Sequence, residues 1–262
     1  MKYFTIILIV MLVVLSSAQA AVVGKDVEYR DGDTLLKGFL AYDDSVSNKR
    51  PGILVVHEWW GHNEYARNRA RMLARLGYTA LAVDMYGDGK RADHPDDAGK
   101  FAGELRENMD LAESRFRAAL LLLQEQDSVD PDRIAAIGYC FGGGVVLEMA
   151  RRGVELDGVA SYHGSLGTSS PAESGKVVAR VLVFNGADDP FVSGEQIVAF
   201  RKEMDEAGVD YRFVSYPGVK HSFTNPDADV YGKKFDLPLE YNADADRASW
   251  SETQEFFREI FR

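Results

Sequence analysis

Ile134–Arg152 reads IAAIGYCFGGGVVLEMARR, and the rest of the chain is organised around it. The apolar run from Ile134 to Ile137 is predicted to be a fully buried strand of a parallel sheet. Gly143–Arg152 is predicted to be a helix that turns Val146, Leu147 and Ala150 inward. Between them, Gly138-Tyr139-Cys140-Phe141-Gly142-Gly143 has to make a sharp strand-to-helix turn with one reactive side chain at its tip. Glycines stand two residues before and two after Cys140 because strand and helix approach too closely there for side chains. The pattern is the G-x-S-x-G nucleophile elbow with cysteine in place of serine. A thiol at this tip is lifted clear of the backbone and sits at a helix N-terminus, which favours thiolate. The Phe141 N–H beside it points toward where an oxyanion would form. A lone cysteine is most often a small buried hydrophobe; the strand before it and the Gly-Gly-led helix after it favour the nucleophile here.

Outward from the elbow, the chain alternates strand and helix. Val27–Arg30 and Leu35–Tyr42 flank Asp31-Gly32-Asp33 as an antiparallel hairpin. Ile53–Val56 is a buried strand that runs into His57-Glu58-Trp59-Trp60-Gly61-His62-Asn63. Glu64–Leu76 is an amphipathic helix stopped by Gly77, Thr79–Val83 a strand, Asp88–Asp97 a charged loop, and Glu104–Gln126 one helical stretch. Strands at Gly158–Tyr162, Val181–Phe184 and Tyr211–Tyr216 follow, with a helix at Ser193–Ala207 closed by Gly208. A terminal helix, Asp246–Phe261, packs Trp250, Phe257 and Phe261 back on the domain. This order predicts an α/β fold, a doubly wound and mostly parallel sheet with helices on both faces. Sites in such sheets gather beyond the carboxyl ends of the strands, where Glu58, Cys140, Asp189 and His221 all fall.

Composition narrows the class. Met1-Lys2, the apolar run Phe4–Leu15 and Ser16-Ser17-Ala18-Gln19-Ala20 read as a signal peptide cleaved after Ala20. The run is too short for a convincing membrane span. The expected product is an exported protein, periplasmic or secreted, of one domain over residues 21–262. Removing Lys2 takes the formal net charge from −11 to −12. A surface this acidic argues against nucleic acid or an anionic membrane as partner. The single cysteine rules out an intramolecular disulfide, and an unpaired thiol in an oxidising compartment is expected to be buried or used. Oligomeric state is not legible.

The order nucleophile (Cys140), acid (Asp189), histidine (His221) gives each residue a role. Cys140 attacks an acyl carbon, His221 takes and returns protons, and a carboxylate holds the imidazole. Asp188 competes with Asp189 for the last role, and the register of Gly186-Ala187-Asp188-Asp189-Pro190-Phe191-Val192 favours Asp189. At this point the chain resembles the dienelactone hydrolase family of α/β-hydrolases. The resemblance rests on GYCFGG, on Val56-His57-Glu58-Trp59-Trp60-Gly61, on Asp84-Met85-Tyr86, on GADDPFV and on Lys220-His221-Ser222-Phe223. It implies an α/β-hydrolase fold and hydrolysis of a small ester or lactone without a cofactor. By the same resemblance Cys140, Asp189 and His221 match the triad, and the backbone N–H groups of Phe141 and Trp59 form the oxyanion hole. Glu58 matches a glutamate that contacts the resting cysteine and holds the thiol neutral. Two arginines that grip a substrate carboxylate in the family are missing: Gly87-Asp88 and Thr224-Asn225 stand at those places. Lys90 and Arg91 lie near the first, out of register.

Other signals carry less. His57-Glu58-Trp59-Trp60-Gly61-His62 is H-E-x-x-x-H, which breaks the i, i+4 alignment of a zinc helix, so no metal is expected. Trp59 and Trp60 are expected to line the pocket mouth or pack on the terminal helix. His62, His94 and His163 are read as structural or surface residues, and Ser165 and Ser222 lack elbow geometry. Asp88–Asp97 and Phe223–Asn242 are expected to border the entrance. The leading function is a thiol hydrolase of small esters or lactones, with thioesters as a variant. A non-catalytic binding protein of the same fold is the alternative; a redox sensor would call for a second cysteine to resolve a sulfenic acid.

Overall fold

Strand β1 (Val22–Asp31) and β2 (Thr34–Asp43) form the expected hairpin, and the chain then mostly alternates strand and helix, with like elements in succession at three places. In order follow β3 (Arg50–Val56), α1 (Glu64–Arg75), β4 (Thr79–Val83), α2 (Pro95–Glu107), α3 (Met109–Gln124), β5 (Val129–Tyr139) and α4 (Phe141–Arg151). The remainder is β6 (Gly158–Tyr162), β7 (Arg180–Gly186), α5 (Gly194–Ala207), β8 (Tyr211–Tyr216), α6 (Ala228–Phe235) and α7 (Ala243–Ile260). This is a computed structural model that describes residues 22–262; the expected signal peptide, Met1–Ala20, lies outside the described residues.

The strands form one sheet in the order β1-β2-β4-β3-β5-β6-β7-β8. β1 and β2 run antiparallel to their neighbours and every later pairing is parallel. Side chains alternate across β3: Ile53 and Val55 enter one apolar layer with α1 and α7, while Leu54 and Val56 enter the other with α3 and α4. Burial on both faces is why these strands read as continuous apolar runs rather than alternating ones. A third, smaller cluster around Trp60, Ala98 and Leu239 caps the carboxyl end of the sheet.

Three expectations change. Glu104–Gln126 is two helices. Asn108 ends α2 and its side chain accepts the Leu111 N–H at 3.1 Å as the N-cap of α3, a role asparagine fills well. The last three residues of the charged loop are helical because His94 caps α2, Pro95 stands at its first position and Asp96 and Asp97 face its positive end. Trp60 packs not on the terminal helix but on α6, stacking on Tyr231 at 4.6 Å. That helix, eight residues long with no side-chain cap, left no periodicity to read. No helix among the described residues is long and apolar enough to cross a membrane.

Candidate active site

β5 delivers Cys140 to the tip of the elbow at φ +53°, ψ −113°. A cysteine seldom adopts this conformation, and such strain persists only where the surroundings over-determine it. A Cβ on Gly138 would lie 2.0 Å from the Gly142 oxygen, and one on Gly142 would lie 2.4 Å from the Val56 oxygen. The two glycines therefore close the turn against itself and against β3. Gly142→Ala is expected to lower stability by roughly 2–3 kcal/mol through forced backbone displacement, read as a lower urea midpoint at unchanged slope.

The acid and the histidine come from the ends of β7 and β8. Asp189 is buried in the turn after Gly186, where its Oδ1 accepts the Phe191 N–H at 2.8 Å. Its Oδ2 lies 2.7 Å from His221 Nδ1, so that nitrogen carries the proton and Nε2 is left for the thiol. Asp188, the competing carboxylate, is exposed. Burial alone would pull His221 toward neutral, but the Cys140 sulfur and the Asp189 carboxylate overcome it and raise the imidazole to about 10. Cys140 and His221 open into a cavity of about 350 Å³ lined also by Trp59, Arg106, Ser165, Phe191, Val192 and Leu239. Of the two segments expected at the entrance, Phe223–Asn242 contributes Leu239, whereas Asp88–Asp97 contributes nothing.

The N–H groups of Trp59 and Phe141 have no acceptor among the described residues. Phe141 opens α4, so its N–H is one of the donors a helix start leaves free. The Trp59 N–H belongs to the same peptide as the Glu58 carbonyl, which His57 Nδ1 meets at 2.6 Å. Met85 donates its N–H to His57 Nε2 at 3.3 Å, which fixes the proton on Nδ1. His57 thus orients the Glu58–Trp59 peptide.

Glu58 is buried beneath the histidine loop, where it accepts from Asn225 Nδ2 at 2.6 Å and from Ser222 Oγ at 3.2 Å. Burial pushes its carboxyl up, opposed by the Asn225 amide, the His221 charge and Ser222. The resting contact between Glu58 and Cys140 that the resemblance implies is not formed here. Asn225, at one of the places where an arginine was missing, pins the carboxylate, and the thiol faces His221 instead.

Three residues that carried no weight in the sequence take part. His163 is fully buried directly behind the elbow. Arg106 reaches the cavity from α2 and lies over the Phe141 ring at 5.9 Å, with no carboxylate partner among the described residues. Lys90 and Arg91, the nearby cations in sequence, line other clefts. Arg69, on the buried side of α1, binds the Thr224 carbonyl and Asp246 Oδ1, both at 2.6 Å.

Comparison with known proteins matches this architecture. Residues 36–261 fit the model of the dienelactone hydrolase family. Protein usf of Aquifex pyrophilus is 29% identical over 241 residues, covering 90% of this chain and 98% of its own. A putative carboxymethylenebutenolidase of Aquifex aeolicus is 29% identical over 217 residues, covering 80% of this chain and 92% of its own. The crystal structure of a dienelactone hydrolase-like promiscuous phosphotriesterase from metagenomic libraries superposes with a TM-score of 0.86 at 36% identity, over 92% of this chain and 99% of that one. Eight strands in α/β-hydrolase order, with the family match running over nearly all of them, place the chain in the dienelactone hydrolase family, as a hydrolase of ester or lactone bonds.

Proposed function

We propose that the chain hydrolyses small esters or lactones through an acyl-cysteine intermediate on Cys140, with His221 as proton carrier and Asp189 as the carboxylate that orients it. The Cys140 thiolate attacks the acyl carbon, and the carbonyl electrons move onto an oxygen held by the Trp59 and Phe141 N–H groups. The intermediate collapses, and the leaving alkoxide takes the proton of the His221 imidazolium. Neutral His221 then draws a proton from water as its oxygen attacks the acyl-cysteine. Collapse releases the acid and returns the thiolate beside a protonated His221. In a lactone the alcohol stays tethered to the acid. We propose further that the protein is exported, a reading supported by the signal-peptide pattern of Met1–Ala20 alone.

The observation that carries the reading is Cys140 and His221 facing one cavity, with Asp189 buried behind His221 at 2.7 Å and the sulfur and that carboxylate together raising the imidazole. Acid quench during turnover of p-nitrophenyl acetate tests it. The expected result is a protein heavier by one acetyl group, on the peptide that holds Cys140. Sustained turnover with the acetyl group on Ser165 instead, or undiminished in Cys140→Ala, would overturn it.

Arg106 sets a preference within that class. It is the one permanently charged residue of the cavity wall, and a charged hydrogen bond contributes about 1.5 kcal/mol or more. Arg106→Ala is therefore expected to raise KM roughly tenfold for an ester bearing a free carboxylate, and to leave KM for a neutral ester of the same size unchanged. Equal shifts for both substrates would mean that Arg106 only shapes the wall.

A further inference from the structure

The Cys140 amide is held from behind. Its N–H is shared between the Tyr162 carbonyl at 2.9 Å and His163 Nδ1 at 3.1 Å. A backbone N–H only donates, so His163 Nδ1 carries a lone pair, the ring is neutral and its proton sits on Nε2. That nitrogen meets Thr224 Oγ1 at 2.8 Å, and Thr224 Oγ1 meets Tyr65 OH at 2.6 Å. Thr224 lies three residues after His221, on the loop whose Ser222 and Asn225 clasp Glu58. The His163 ring also stands edge-on to His221 at 5.1 Å and to Phe223 at 5.2 Å. One imidazole therefore joins the nucleophile's backbone to the loop that carries its base.

We infer that His163 is a positioning residue of the reaction, a neutral strut that fixes the strained Cys140 amide and sets the distance between the thiol and His221. It touches neither substrate nor the reacting atoms. The geometry leaves no room for a second proton: an Nδ1–H would face the Cys140 N–H head on, and the ring would place a second cation against protonated His221. Burial, His221 and Arg69 all push the His163 ring well below the ordinary histidine range, in agreement. The left-handed backbone of His163, φ +41°, turns the ring back under the elbow.

The inference rests on Cys140 as the nucleophile, and three variants separate its hydrogen bonds from its volume. His163→Phe keeps the ring and removes both bonds. His163→Asn keeps an acceptor where Nδ1 was, and His163→Gln keeps a donor where Nε2 was. Because an ångström of misplacement costs on the order of 100-fold in rate, His163→Phe is expected to lose about that factor in kcat for p-nitrophenyl acetate with KM nearly constant. His163→Asn is expected to recover most of it, and His163→Gln little. A folded His163→Phe with the wild-type kcat overturns the inference. Nitrogen-15 NMR of the wild-type ring gives a test independent of any variant's folding: the Nε2–H tautomer, unchanged from pH 5 to 9, is expected, and a ring that titrates in that range or carries its proton on Nδ1 overturns it. Failure of the nucleophile itself looks different, because Cys140→Ala would then turn over whatever His163 does.

Discussion

Cys140→Ala is expected to lower kcat/KM for p-nitrophenyl acetate by about 10⁴-fold or more, the scale on which removal of a triad nucleophile acts. What remains is the catalysis that the Trp59 and Phe141 N–H groups and substrate binding supply without a nucleophile, which is above the rate in water but far below turnover. The variant loses one sulfur from a half-buried site but keeps the three hydrogen bonds that residue 140 makes through its backbone N–H and C=O. A cooperative unfolding transition like that of wild type, though lower by the His221 linkage described below, would separate loss of chemistry from loss of structure. His221 should respond in a second way. Its rise to about 10 has the Cys140 sulfur as its largest upward cause, so in Cys140→Ala the imidazole should titrate clearly lower by NMR. The sign for stability follows from linkage. A native state that holds the His221 proton more tightly than the unfolded chain gains stability that is complete below about 6.5 and is lost as pH rises toward about 10. The sulfur's share of that gain should disappear from the variant over the same window. Turnover retained in Cys140→Ala at more than a few per cent would remove the acyl-cysteine from the mechanism.

The elbow and the proposed set of Cys140, Asp189 and His221 are legible in the sequence because their causes are local or ordered along the chain. Gly138 and Gly142 are dictated because a Cβ there would come within 2.0 and 2.4 Å of backbone oxygens, one a few residues on and one on a neighbouring strand. Asp189 follows from its place in a turn where it accepts the amide N–H of Phe191, two residues on. The support behind the triad is different, because it is made by residues far apart that meet only once the sheet has formed. Tyr65 and Thr224 are separated by 159 positions, and Arg69 and Asp246 by 177. One signal was present. Arg69 stands three residues after Ala66 and next to Ala70, on the face of α1 that also buries Leu73, where an arginine breaks the apolar stripe and must find a partner. His163 offered no such break, since nothing in the short run Gly158–Tyr162 says which way a histidine after it will turn. Arg106 belongs to a helix whose start the sequence placed too late, so its reach into the cavity could not be read.

Arg69→Met should lower stability by about 3–5 kcal/mol, the cost of breaking a buried ion pair from one side. The guanidinium is 4% exposed and its partner Asp246 17% exposed. Besides Asp246 it binds the Thr224 carbonyl and, at 3.3 Å, Tyr65 OH. The rings of Tyr65, Tyr139 and Trp250 lie 5.2, 5.2 and 5.6 Å from it. Methionine fills much of the volume and satisfies none of these acceptors, so a carboxylate and a carbonyl are left behind in a site with little water. For a chain of this size the loss corresponds to a fall in Tm of roughly 10 °C. Arg69→Met with Asp246→Leu is the informative companion, because removing both charges leaves no buried ion unpaired, and such replacements are often neutral. Recovery of stability in the double variant would assign the cost to charge imbalance between α1 and α7. If stability stays low, the deficit lies in the Thr224 carbonyl, and Arg69 then serves chiefly to clamp the loop that carries His221. The two results also differ in turnover, since only the second leaves the spacing between His163 and His221 unsupported in the double variant.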